Sequence, residues 1–179
     1  MELTGFFFIA VFGCLGHFIF EWSGHRKWAG IFFAVNESTW EHIKLTIYPS
    51  FIWMFVEMAV RGCSPSLLVA QFASMVTMIL LVPGIFYAYT AFTKKNWLIA
   101  DIAVFLVAIA AGMKVFSLVA DVPGITAVPA WISVAGMLLI LAAYFRFSYH
   151  PPHCFLFRDP INKGFGPSGH ECHSHFHNI

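Results

Sequence analysis

Five apolar stretches dominate this sequence, at roughly 3–22, 39–60, 66–92, 97–120 and 128–149. A helix needs about 20 mostly apolar residues to cross the hydrocarbon core of a bilayer, and each stretch meets that length. Composition points the same way. Hydrophobic residues make up 59% of the chain and charged residues 11%, whereas soluble domains carry about 25% charged residues. A soluble core built from 179 residues has too little interior to hide that much apolar surface, but lipid can take it up. The expected fold class is therefore all-α, an integral membrane bundle of five transmembrane helices in contact with the lipid bilayer. A net charge of +1 without a clustered basic face argues against a nucleic-acid partner.

The basic residues give a direction. With five spans, the first loop, the third loop and the tail share one side. That side carries Arg26, Lys27, Lys44, Lys94, Lys95, Arg146, Arg158 and Lys163, against Arg61 and the nearby Lys114 on the other. Such asymmetry places the N-terminus outside and the C-terminal tail in the cytoplasm. Trp22, Trp28, Trp40 and Trp97 fall at the inner boundary, where an aromatic belt belongs. The expected division is a five-helix transmembrane domain over 1–149, with an interfacial segment near 28–38, and a cytoplasmic tail over 150–179, partly ordered to about 168. In the third span, Pro83-Gly84 predicts a kink or an early end. The four cysteines, Cys14, Cys63, Cys154 and Cys172, show no CxxC spacing and so no disulfide framework.

Against this apolar background stands a polar knot, Asn36-Glu37-Ser38-Thr39-Trp40-Glu41-His42, at the start of the second span. Ser38 and Glu41 have the spacing of a capping box. Capping leaves Asn36, Glu37 and His42 unexplained, and two acids four residues apart need a cation, a proton or a basic neighbour. His17 and Glu21 share a face of the first span, and His17 lies about 8 Å in from Trp22 at the helical rise. Asp101 lies about 6 Å in from Trp97. His17, Glu21, Glu41 and His42 thus form a candidate set of ligands for a divalent metal such as zinc. Glu41 and His42 are also the candidates for acid–base chemistry. Asn36, Glu37 and Asp101 are candidate ligand-binding residues, for a small polar ligand or a lipid headgroup. His150, His153 and Asp159 would close the pocket from the tail, although Arg158-Asp159-Pro160 also reads as a turn with an internal ion pair. Separate snorkelling of these side chains into water is the plain alternative.

Two further features compete for a role. Glu57 and Lys114 reach matching depth, about 26 Å along their helices from Trp40 and Trp97, and Arg61 follows Glu57 by four. An intramembrane ion pair of Glu57 with Lys114 or Arg61 is expected. It is either structural or, with Gln71 and Asp101, the lining of a path in a channel or carrier assembled as a homo-oligomer. Ala108 and Gly112 have the small-xxx-small spacing of a helix-docking face, which suits a scaffold for a partner membrane protein. The tail ends in His170, Cys172, His173, His175 and His177, a histidine-rich tract of the kind that binds metal.

The segments Gly16-His17, Phe20-Glu21-Trp22-Ser23-Gly24 and Val35-Asn36-Glu37-Ser38-Thr39-Trp40-Glu41-His42-Ile43-Lys44-Leu45 resemble those of an uncharacterised family of small bacterial multi-pass membrane proteins. Leu156-Phe157-Arg158-Asp159-Pro160, with Gly164 and Gly166, is similar to that family's C-terminal element. The resemblance implies a location in the bacterial cytoplasmic membrane and groups the two motifs together. It implies no reaction, substrate or cofactor, and it does not extend to the histidine-rich end.

Overall fold

The computed structural model describes residues 2–122 and 130–169. The described residues form six α-helices and no strand. They are α1 (Glu2–Trp22), α2 (Lys27–Phe32), α3 (Thr39–Arg61), α4 (Pro65–Thr93), α5 (Leu98–Ala120) and α6 (Ala130–Phe147). All except α2 are long and apolar enough to cross a membrane. Large apolar side chains such as Phe7, Val11, Leu15 and Phe18 on α1 and Trp131, Leu138 and Leu139 on α6 face outward, which suits contact with lipid.

Small residues set how closely the helices approach. The buried stripe of α1 includes Gly5, Gly13 and Gly16. A Cβ at Gly13 would lie 2.6 Å from the Leu45 carbonyl oxygen of α3. That carbonyl is four residues before Pro49, which sits inside α3 and has no N–H to offer it. The backbone of α1 therefore packs against the one place where α3 has lost a helical hydrogen bond. On α5 the buried stripe Val104, Phe105, Ala108, Ile109, Gly112, Met113, Phe116 keeps helical spacing throughout. Gly112 rests against Met78 and Ser74 of α4. The small-residue face expected to receive a partner is thus already used inside the bundle.

α4 starts with the Ser64 side chain accepting from the Leu67 N–H and a proline in its first turn, both favourable there. It runs on through Pro83-Gly84 to Thr93, so the early end expected at that pair does not occur. Trp22, Trp28 and Trp97 are exposed, but Trp40 turns inward, its ring centroid 4.6 Å from those of both Tyr144 and Phe157.

A buried charge holds the lower end together. Lys44 is 0% exposed and its Nζ lies 2.6 Å from Glu41 Oε2, with Glu41 3% exposed. The same ammonium donates to the Gly30 carbonyl at 2.8 Å and to Ser148 Oγ at 3.0 Å. Its three donors thus meet three acceptors, from α3, α2 and the residue just beyond α6. Tyr149 adds a 2.6 Å hydrogen bond to the Lys27 carbonyl. Lys44, counted in the sequence among the charges of the cytoplasmic loops, is instead an interior tie between elements.

Removing one member of a buried pair strands the other and costs about 3–5 kcal/mol. Lys44→Met is expected to lower the thermal midpoint of the detergent-solubilised protein sharply. Glu41→Gln combined with Lys44→Met should lower it less than Lys44→Met alone. Equal midpoints for wild type and Lys44→Met would show that the pair carries no such weight.

Candidate metal centre

In the segment between α2 and α3, three backbone N–H groups are taken by side chains. Val35 N–H donates to Glu41 Oε2 at 3.0 Å, Glu37 N–H to Asp159 Oδ2 at 3.1 Å, and Ser38 N–H to Asn36 Oδ1 at 2.9 Å. Asn36 Nδ2 in turn donates to the Gly166 carbonyl at 3.0 Å. Asp159 also accepts from the N–H groups of Ile161 at 2.7 Å and Asn162 at 3.0 Å. The tail is latched onto the segment, and the latch fixes the backbone at Glu37.

So held, the Glu37 carboxylate sits between two imidazoles. Its Oε1 lies 3.2 Å from His17 Nε2 near the end of α1, and its Oε2 lies 3.6 Å from His42 Nε2 in the first turn of α3. One ligand atom from each of the three falls within 4.8 Å of the others. The 3.2 Å and 3.6 Å separations, which run to different oxygens of the Glu37 carboxylate, are close to the roughly 3.3 Å edge of a tetrahedral zinc site with ~2.0–2.1 Å bonds. His42 Nδ1 lies 3.0 Å from the Ser38 carbonyl oxygen. A carbonyl only accepts, so Nδ1 carries the proton and Nε2 faces Glu37 either as a lone pair or with a second proton. Metal-bound histidines usually show this arrangement, with the far ring nitrogen donating to a carbonyl or carboxylate.

Glu37 and His42 open onto a cavity of about 20 Å³, lined also by Thr39, Phe86, Asp101 and Phe105. That is room for a single ion or water. Asp101 is held at its rim by the Tyr89 hydroxyl.

The cluster differs from the set read in the sequence. Its acid is Glu37, expected to orient a ligand. Glu21 is exposed and lies outside the cluster. Glu41 also lies outside the cluster and is engaged by Lys44 and the Val35 N–H. The capping box is also absent: Ser38 makes no side-chain cap, its own N–H goes to Asn36, and Glu41 turns to Val35. Asn36 accepts from the Ser38 N–H and donates to the Gly166 carbonyl, and Asp159 accepts from backbone N–H groups. Asp159 satisfies backbone N–H groups instead of pairing with Arg158. His150 is exposed, and His153 stacks on Phe165 at 4.6 Å, so neither closes the cavity. At the far end Glu57 is buried, accepts from Trp53 Nε1 at 3.1 Å and lies 3.9 Å from Arg61. Lys114 pairs with Glu2 at 3.7 Å instead. Gln71 donates to the Ser50 carbonyl. The histidine-rich tract lies outside the described residues. Sequence reasoning missed Lys44 and Tyr89. For Lys44 the signal was an acid three residues before it on one helix face.

Residues 2–167 match the model of a family of unknown function, DUF6512. The chain belongs to that family. The DUF6512 match takes in His17, Glu37 and His42 together with the Asp159 latch, and ends short of the histidine-rich tract. No curated protein and no solved structure matches the chain.

Replacing Asp159 with Asn leaves a part-buried backbone N–H without its acceptor, a loss of about 1 kcal/mol. Asp159→Asn is expected to speed trypsin cleavage after Arg158 and Lys163 in the folded protein. Unchanged cleavage would mean that the latch does not hold the tail.

Proposed function

We propose that this protein is a multi-pass membrane protein of the bacterial cytoplasmic membrane that holds a divalent metal, such as zinc, between His17, Glu37 and His42. The observation that carries the reading is the convergence of two imidazole Nε2 atoms on one carboxylate, with His42 Nδ1 tied to a backbone carbonyl. Two histidines and a glutamate are a three-ligand set that leaves a coordination position open, as catalytic zinc sites do. The adjoining cavity, with Asp101 on its rim, supplies the space for it. An ion there would polarise a water or a substrate oxygen, and metal-assisted hydrolysis or transfer is the reaction class to test first. In this reading Asp101, rather than Glu41, is the carboxylate placed to handle a proton.

The orientation proposed is N-terminus outside and tail inside. It is supported by Arg26, Lys27, Lys94, Lys95, Arg146, Arg158 and Lys163, which remain on the end of the bundle that carries the cluster even with Lys44 set apart as an interior charge. The substrate side of the site would then face the cytoplasm. A carrier path between Glu57 and Lys114 has less support, since each has another partner.

Metal analysis of the detergent-purified protein tests the reading. Wild type is expected to hold roughly one equivalent of metal. His17→Ala, Glu37→Gln and His42→Ala should each lose it, while Glu21→Gln should keep it. No metal in the wild type, or metal undiminished in all three variants, would overturn the proposal.

A further inference from the structure

We infer that the cleft beside the His17–Glu37–His42 cluster receives a phosphoryl group, either as free phosphate or as the headgroup of a lipid. The inference names a ligand class for the proposed site and, as a statement about substrate, rests on the metal reading above. The cleft has a volume of about 140 Å³, against about 20 Å³ for the cavity at the cluster. The second holds an ion or a water, and the first admits a polyatomic group. Thr39 and Phe86 line both spaces, so whatever fills the cleft lies next to the ion site.

The charge of the cleft is the argument for an anion. Arg158 and Lys163 both line it. Among the described residues the Arg158 guanidinium has no hydrogen bond or ion pair, and the Lys163 ammonium donates only to the carbonyl of Pro160. Asp159 also borders the cleft, but it is 1% exposed and its two oxygens are turned to the N–H groups of residues 37, 161 and 162. The acid therefore serves the latch, and the cations face the opening. A guanidinium matches phosphate oxygens in a two-pronged geometry, and an ammonium beside it adds a second point charge.

The walls suit a ligand with an apolar part. Phe86 and Phe155 line the cleft, and Phe155 is exposed. The Tyr87 hydroxyl bridges the Phe155 carbonyl at 3.2 Å and Thr39 Oγ1 at 3.0 Å, fixing that wall to α3 and α4. The cleft lies at the same end of the bundle as the exposed Trp22, Trp28 and Trp97, the level of lipid headgroups in the proposed orientation.

The test measures binding of inorganic phosphate to the full chain in detergent, with and without prior EDTA treatment. In parallel, the lipid retained from nanodiscs containing phosphatidic acid and phosphatidylcholine is identified by native mass spectrometry. Arg158→Gln with Lys163→Gln is expected to weaken phosphate binding, or retention of phosphatidic acid, by at least about tenfold while leaving metal content at the wild-type level. Arg158→Lys should retain part of the binding. Phosphate binding without selective lipid retention assigns the site to the free anion, and selective retention of phosphatidic acid assigns it to the headgroup. Binding that persists after EDTA would show that the two cations hold the anion without the ion, whereas absence of metal from untreated wild type that still binds the anion would remove the metal reading and leave the anion site standing. Equal binding by wild type and the double variant, or none of either ligand by the wild type, would overturn the inference.

Discussion

The Lys44 ammonium is the interaction on which the lower half of this molecule depends. It lies wholly inside the protein, with Glu41, the Gly30 carbonyl and Ser148 Oγ as its three acceptors. A charge so placed is tolerable only when every donor is met, and meeting them requires α2, α3 and the end of α6 to come together. Glu41 in turn grips the N–H of Val35, so the same charge centre also fixes the start of the segment that bears Glu37. One lysine thereby ties the end of the bundle to the polar segment it encloses.

From that anchor the candidate site follows by short steps. Val35, Glu37 and Ser38 are each held by a side-chain oxygen, and the Glu37 carboxylate is left projecting between α1 and α3. The glycine-lined contact of α1 with α3 brings His17 to the same level as His42, with their ring centroids 5.7 Å apart. The site is thus assembled from three pieces of chain: a transmembrane-length helix, an extended segment and the opening turn of another helix. The tail, through Asp159 and the Gly166 carbonyl, holds the segment from the side proposed to be cytoplasmic. Membership of DUF6512 extends across all of these parts.

How far the sequence revealed this depends on the range of the forces involved. The five long helices were legible because length and hydrophobicity alone specify them, and their ends fall within a few residues of the expected limits. The shared depth of His17 and His42 was also legible, since the helical rise sets it. Glu37 was not legible as the central acid. Its backbone is placed by Asp159, 122 residues away, and no local pattern encodes that contact. Glu41 was misread because a capping box is a local motif, whereas Lys44, Gly30 and Ser148 make a better-satisfied partner set in the folded chain. Pro83 failed to end α4 because an apolar helix packed on both flanks has no competing conformation to which its backbone can turn. The face of Ala108 and Gly112 was recognised correctly as a packing face, but its partner is α4 of the same chain.

The central claim is that the polar segment exists to place one carboxylate between two imidazoles around an ion. Anomalous diffraction at the zinc edge, from crystals grown with stoichiometric zinc, tests it most directly because it locates the ion rather than merely detecting it. The account predicts a peak within bonding distance of His17 Nε2, His42 Nε2 and a Glu37 carboxylate oxygen. A peak confined to the histidine-rich end of the tail, with none between these three side chains, would contradict it.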